Sequence, residues 1–335
     1  MNSAIYMIGE IGQAHEGSFG VAHSYIDVLA ESGVDAVKFQ THISEAESSE
    51  HETFRIPFPY STETRMEYWE RMEFTPEQWS SLKNHCEDHD MDFLATPSCI
   101  QAVELLEKIG VSRYKVGSGD TYNLLLLERI AKTGKEMIIS TGMSSQDELD
   151  LTCQFLKQRN TMFSLLQCTS AYPTRESQWG LNQIAELRSQ YNVPTGFSDH
   201  SGDIYACLAA TALGAEILEF HVTFDKRSYG PDSASSLTID QVKMLTTGVR
   251  QISTANTNPV NKADISGFQD VKNIFEKSLA VNKDLPAGHV ITLHDLESKK
   301  PKGMGIPVHL YEQVLGKRLS RDMKKWMFLN ETDIL

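Results

Sequence analysis

Eight short apolar runs, each followed by an amphipathic segment, leave this chain few architectures. The runs are YMIGEIG (6–12), AVKFQ (36–40), DFLATP (92–97), RYKVGS (113–118), MIIST (137–141), FSLLQCT (163–169), VPTGFSD (193–199) and ILEFHVT (217–223). Their length suits strands rather than helices. The segments between them, such as IQAVELLEKIG and SQDELDLTCQFLKQR, carry apolar residues about every three to four positions, as a helix with one buried face does. Gly33, Gly110, Gly134 and Gly214 stand where helix ends favour a left-handed residue. Strands alternating with helices predict an α/β fold, a parallel sheet closed into a (β/α)8 TIM barrel. An open doubly wound sheet competes, but no GxGxxG turn follows the first run.

The barrel is predicted to span 1–254 and to finish with the helix TIDQVKMLTTGVRQIST. A polar, turn-rich linker is predicted over 255–274, and a small, mostly-β domain over 275–335 with a turn at Pro286 to Gly288. That tail is marginal alone and is expected to pack on a larger partner. The long connection from 41 to 75 reads as an active-site loop or lid.

Charge and cysteine usage narrow the function. The formal net charge of −14 argues against sequence-independent nucleic-acid binding, although local lysines can still hold an anionic substrate. Five cysteines, odd in number and without a CxxC pair, read as free thiols in a reducing compartment. With no long apolar run and no basic leader followed by one, no membrane association is expected and a cytoplasmic location is.

Functional groups in such barrels emerge at the C-terminal ends of strands. Those ends hold Glu10; Lys38 and Gln40; Thr96 and Ser98; Lys115, Ser118 and Asp120; Ser140; Ser170 and Tyr172; Ser198 and His200; and His221, followed by Gly230-Pro231-Asp232. A lysine within a barrel strand needs a counter-ion, and a salt bridge to Glu10 or Asp120 is the plain structural account. With the hydroxyls of Thr96, Ser118, Ser140, Ser170 and Ser198 nearby, Lys38 and Lys115 also describe a pocket for a phosphate or phosphorylated carboxylate. A single histidine on an apolar strand is more often a core residue. Two at equivalent ends of adjacent strands, roughly 4.8 Å apart, can share one divalent transition ion such as Mn²⁺ or Zn²⁺. Four protein ligands are not evident, which favours a catalytic ion. Glu10 either pairs with Lys38 or acts as general base for a metal-bound water. His15, in a Gly-flanked turn, reads as a helix cap or a rim contact.

These motifs resemble the sialic acid synthases, the phosphoenolpyruvate-dependent nonulosonic acid synthases. The resemblance rests on EIGQAHEG (10–17), AVKFQT (36–41), Ala95-Thr96-Pro97, YKVGSGD (114–120), ISTGMSS (139–145), QCTSAYPT (167–174), GFSDHSG (196–202), EFHVT (219–223) and GPDSASSL (230–237). SLAVNKDLPAGHVITLHDL and GKRLSRD (316–322) look like that family's antifreeze-like, or SAF, domain. The resemblance implies condensation of phosphoenolpyruvate with an N-acylated hexosamine aldehyde, N-acetylmannosamine or a relative, to an N-acetylneuraminate-type acid and phosphate. It implies that His200 and His221 hold Mn²⁺ and that Glu10 activates water. Lys38, Thr96, Lys115, Ser118, Ser140, Ser170 and Ser198 would contact phosphoenolpyruvate; Gln40, Asp120, Tyr172 and Asp232 would face the sugar. It further implies a domain-swapped homodimer in which the tail of one subunit covers the other's barrel mouth. Ala14-His15-Glu16-Gly17 departs from the N-H-N-G of bacterial members, the 43–72 loop aligns poorly, and Lys299 or Lys300 lies where an arginine meets the acyl group. The same chemistry on a diacetamido hexose, giving a legionaminic- or pseudaminic-type acid, or on a phosphorylated N-acetylmannosamine, is the alternative. No arginine cluster is evident at the mouth for the latter. An inactive sugar-binding barrel ranks below both, since it would have no need of Glu10, Lys38, Lys115, His200 and His221 together.

Overall fold

The structure, a computed structural model, describes residues 5–55 and 61–335 and divides into two compact units, Met1–Asn258 and Pro259–Leu335. In the first, eight parallel strands alternate with helices: β1 (Tyr6–Glu10), β2 (Ala36–Thr41), β3 (Asp92–Pro97), β4 (Arg113–Val116), β5 (Glu136–Ser140), β6 (Phe163–Cys168), β7 (Thr195–Asp199) and β8 (Ile217–Thr223). Their order, β3-β2-β1-β8-β7-β6-β5-β4, brings β3 beside β4 and makes a nearly closed TIM-type barrel; β9 (Leu237–Thr238) adds to the edge of β8. Each apolar run in the sequence is one of the eight barrel strands. The runs overshoot at β1 and β4, where Gly12 and Gly117 already belong to the turns.

The barrel interior is layered because successive residues of a strand face opposite ways. Ile8, Ala36, Leu94, Ile138, Leu166 and Ile217 point inward and form a buried apolar plug. Two residues further along the same strands the inward positions are Glu10, Lys38, Thr96, Ser140, Cys168 and Glu219. The plug is tight at Gly196, where a Cβ would lie 2.1 Å from the Ile217 carbonyl oxygen and 2.7 Å from Leu166. Outward residues such as Met7, Val37, Phe39, Tyr114 and Phe220 pack under the helices as the main core.

The barrel helices are α1 (Phe19–Ala30), α2 (Ser44–Glu47), α3 (Arg65–Met72), α4 (Pro76–Asp88), α5 (Ile100–Ile109), α6 (Leu124–Ala131), α7 (Gln146–Gln158), α8 (Gln183–Tyr191), α9 (Tyr205–Ala212) and α10 (Ile239–Thr257). Local chemistry starts and stops them. Ser18 caps α1, and Thr75 with Gln78 forms a capping box on α4 with Pro76 in its first turn. The four glycines expected at helix ends all take positive φ. The 41–75 connection carries α2 and α3, and Tyr68, Trp69 and Met72 pack there with Phe54; residues 56–60 of it lie outside the described residues. Helix α10 runs to Thr257, so the stretch predicted as linker begins inside a helix and also holds α11 (Gln269–Phe275). Among the described residues no helix is long and apolar enough to cross a membrane.

The second unit pairs β10 (Ser278–Val281) with β11 (Leu296–Lys299) antiparallel around Leu279, Val281, Leu285, Ile291 and Leu329. Its turn at Pro286 to Gly288 closes through a bond from the His289 N–H to the Pro286 carbonyl, with Gly288 at φ 78°.

Candidate active site

The C-terminal ends of the strands open into a cavity of about 560 Å³. Glu10, Lys38, Gln40, Thr96, Lys115, Ser118, Asp120, Ser140, Ser170, Tyr172, Ser198, His200 and His221 line it. Asp232 lines a neighbouring cavity of about 220 Å³, together with Gln40, Tyr172 and His221.

Both lysines are buried, and their side-chain partners come from other strands; Lys115 also donates to the Val116 carbonyl on its own strand at 3.0 Å. Lys38 on β2 donates to Glu10 Oε1 on β1 at 2.7 Å and to Thr96 Oγ1 on β3 at 3.1 Å. Lys115 on β4 donates to Ser140 Oγ on β5 at 2.7 Å and lies 3.4 Å from Glu219 Oε1 on β8. Glu219 sits between the two cations: its other oxygen is 3.8 Å from Lys38, and it accepts from Ser198 Oγ at 3.1 Å. Burial works against the charge on Lys38, but Glu10 and then Glu219 outweigh it and its pKa is raised. At Lys115 burial wins, opposed by Glu219 and reinforced by Lys38, and the pKa is lowered. Burial would also raise Glu10; His221, Lys38 and the Gln40 amide instead hold it well below the usual carboxylate range.

Glu219 was not singled out from sequence, although the signal was present. It is an acid inside the apolar run ILEFHVT, two residues before His221 and therefore on the same inward face. Asp120, offered above as a lysine counter-ion, does not serve as one: it accepts from Asn123 Nδ2 at 2.9 Å, and burial raises its pKa. The salt-bridge partners are Glu10 and Glu219.

Beside Lys115, the Gly142 N–H donates to Ser118 Oγ at 3.0 Å. A Cβ on Gly142 would lie 2.7 Å from Ser170 Oγ and 2.9 Å from Ser118 Oγ, so a larger residue would push these hydroxyls out of their present positions. Cationic and hydroxyl groups here face one space, as an anion site requires.

His200 ends β7 and His221 lies on β8, with ring centroids 5.3 Å apart. His200 Nδ1 is 2.9 Å from the Thr169 carbonyl oxygen, which fixes the proton on Nδ1 and leaves Nε2 as a lone-pair donor. His221 Nε2 is 3.2 Å from Glu10 Oε2. Two imidazoles are of the donor chemistry that suits a divalent transition ion, but among the described residues they do not form a three-ligand cluster with Glu10. Tyr172 stacks on His200 at 4.1 Å, and the Arg55 guanidinium covers Tyr172 at 3.8 Å.

The 41–75 connection forms the outer wall through His42, Glu47, Glu52, Arg55 and Trp69. None of these was picked out from sequence, because the stretch has no periodicity that shows which side chains turn inward. Arginines do stand at the mouth, contrary to expectation: Arg55 and Arg65 both line the smaller cavity. Both are already paired, Arg55 with Asp232 at 3.0 Å and Arg65 with Glu52 at 3.1 Å. His15 is neither helix cap nor rim contact. It is buried against Phe74, and its Nδ1 accepts from the Gly17 N–H at 3.0 Å. In the second unit Lys299 donates to the Trp326 carbonyl at 3.0 Å.

Known proteins resemble this chain along most of its length. Residues 25–261 match the NeuB family and residues 276–325 the SAF domain. The chain is 32% identical over 332 residues to the N,N'-diacetyllegionaminic acid synthase of Campylobacter jejuni, covering 97% of this chain and 98% of that one. It is 33% identical to the human N-acetylneuraminate-9-phosphate synthase, covering 94% and 88% respectively. Among solved structures, the N-acetylneuraminic acid synthetase of Leptospira borgpetersenii aligns with a TM-score of 0.71 at 31% identity, over 81% of this chain and 90% of that one.

Proposed function

The chain belongs to the NeuB family, and from that premise we propose that it condenses phosphoenolpyruvate with the open-chain aldehyde of an N-acylated hexosamine, N-acetylmannosamine or a relative. The products are a nine-carbon 2-keto sugar acid and phosphate. The observation that carries this reading is that two buried lysines, a glycine-lined hydroxyl cradle and two imidazoles open into one cavity.

Lys38 and Lys115, with Thr96, Ser118, Ser140, Ser170 and Ser198, hold the phosphate and carboxylate of phosphoenolpyruvate. Gln40, Asp120, Tyr172 and Asp232 hold the sugar. His200 and His221 would hold a divalent ion, Mn²⁺ in the first instance, which would supply Lewis-acid polarisation of the aldehyde oxygen. The protein's own work is chiefly positioning, bringing carbon 3 of phosphoenolpyruvate onto the aldehyde carbon. As that bond forms, carbon 2 becomes cationic, and the nearby carboxylates of Glu10 and Glu219 favour the charge. Water adds to carbon 2 and gives one proton to Glu10, balancing the one taken up by the aldehyde oxygen; the carbon 2 carbonyl then forms as its C–O bond to phosphate breaks, and the second proton leaves with phosphate. Water adding to a cationic carbon becomes a strong acid, so a carboxylate held ionised is an adequate acceptor.

An uncharged sugar suits the outer wall better than a phosphorylated one. Arg55 and Arg65 are spent on Asp232 and Glu52, while Glu47 and Asp120 add further negative charge. The active species is proposed to be the domain-swapped homodimer in the cytoplasm, a reducing location suited to five free cysteines. The test is phosphate release and product mass with phosphoenolpyruvate, Mn²⁺ and a panel of N-acetylmannosamine, its 6-phosphate and a diacetamido hexose. A 2-keto acid from one of the two uncharged sugars is expected. Phosphate release at full rate without any sugar would refute the condensation, and preference for the 6-phosphate would refute the reading of the wall.

A further inference from the structure

Away from the mouth, α1 and α4 pack against each other. Four ligand-type side chains meet across that contact. His23 and Asp27 stand four apart on α1, and His85 and His89 four apart on α4 and its C-cap, so each pair shares a helix face. One oxygen, Asp27 Oδ1, lies 3.0 Å from His85 Nε2 and 3.5 Å from His89 Nε2. Ligand atoms of Asp27, His85 and His89 all fall within 4.8 Å of one another. None of these residues belongs to the cavity described above.

His23 adds the second observation. Its Nδ1 lies 2.8 Å from His85 Nδ1, so one of the two rings donates a proton to the other across that contact. When His85 donates its Nδ1 proton to His23, its Nε2 lone pair faces Asp27. A proton on His85 Nε2 would close this 3.0 Å gap as an ordinary hydrogen bond, and a divalent ion can take that proton's place with His89 Nε2 as a further ligand. An imidazole oriented through its far nitrogen by a hydrogen-bond acceptor is the usual second shell of a metal-bound histidine. The phenyl ring of Phe19, edge-on to His23 at 4.5 Å, fixes the orienting ring in turn.

We propose that Asp27, His85 and His89 bind a divalent transition-metal ion of the Zn²⁺ class on the outer face of the barrel, with His23 orienting His85. Two imidazole nitrogens and one carboxylate oxygen form a borderline-soft set that favours Zn²⁺, Ni²⁺ or Cu²⁺ over Mg²⁺ or Ca²⁺. The partial exposure of His89 and Asp27, 41% and 58%, leaves room for water as a further ligand. Such an ion joins neighbouring barrel helices, so it stabilises the fold and takes no part in turnover.

The experiment uses the full chain and Zn²⁺ alone. In the H200Q/H221Q background, which removes the imidazoles at the mouth, about one zinc per chain is expected to survive gel filtration, and Zn²⁺ should raise the melting temperature. Adding H85Q/H89Q should abolish both effects. H85Q/H89Q in the otherwise unaltered chain should leave turnover with Mn²⁺ unchanged. The single H89Q, at an exposed C-cap that tolerates glutamine, should weaken zinc binding at least about tenfold while the chain stays folded. Absence of retained zinc in H200Q/H221Q, or undiminished retention when H85Q/H89Q or H89Q is added, overturns the proposal.

Discussion

Two layers of the barrel interior lie two residues apart on the same strands and are built in opposite ways. The lower one, Ile8, Ala36, Leu94, Ile138, Leu166 and Ile217, is hydrocarbon and adds stability, roughly 1.5–3 kcal/mol for each large side chain it buries. The upper one sets Lys38 and Lys115 against Glu10 and Glu219, all four largely buried side chains on the wall of the cavity. Desolvating four charged groups costs more than most of their attraction returns. The charged layer is therefore retained for what it can bind, and the plug beneath it keeps its members in register.

Four experiments break or sharpen that contrast. The largest effect is expected from His221→Ala, which removes one imidazole from the upper layer: turnover with phosphoenolpyruvate and sugar should fall about a thousandfold or more with little change in melting temperature. Undiminished activity would remove His221 from the chemistry. Leu166→Ala in the plug should show the reverse pattern. It should lose about 2–5 kcal/mol by denaturant titration while activity per folded molecule stays near that of the parent. A plug residue whose loss leaves stability untouched would dissolve the distinction between the layers.

Turning part of the charged layer into plug is a sharper test. Lys115→Met combined with Glu219→Leu should abolish turnover and leave stability unchanged or raised by about 1–4 kcal/mol. Strong destabilisation of the double variant would mean that the ion pair holds the barrel together. The smallest effect concerns pH. Burial, with His42 and Arg71 nearby, lowers the His15 pKa from 6.5 to about 3, so the folded protein keeps this imidazole neutral. As pH falls below 6.5 the unfolded chain takes up a proton that the folded one refuses, and stability drops. Between pH 6.5 and 5.5 this amounts to about 1 kcal/mol, which His15→Gln should remove from the pH profile of unfolding while Leu166→Ala leaves it in place. Identical profiles for the parent and His15→Gln would show that His15 carries no such dependence.

Much of the barrel is legible in the chain because alternation and helical period are properties of the backbone alone. An inward apolar position followed two residues later by an inward polar one is visible at Ile8 and Glu10, Ala36 and Lys38, and Leu94 and Thr96 without knowing what lies opposite. The same signal marked His221, and it marks Glu219 just as clearly, one inward position deeper than the strand ends that drew attention. The outer wall was not legible. Arg55, Glu47 and Trp69 come from a connection whose periodicity says nothing about direction, and their placement follows from local packing of Phe54, Tyr68 and Met72.

Partner choice is where reading along the chain stopped. That Lys38 and Lys115 must be neutralised follows from burying an ammonium group in an apolar strand. Which carboxylate does it depends on the closure of β1 onto β8 and on distances across the barrel, and there Asp120, close in sequence to Lys115, gives way to Glu219 on a remote strand. The meeting of His23, Asp27, His85 and His89 is of the same kind: each helix shows an i, i+4 pair, but only the packing of α1 on α4 brings the pairs together. Residue order set the strands, the helices and the faces they bury, because those depend on near neighbours. Charge pairing and ligand convergence depend on which remote faces meet, and that was decided by the closed barrel.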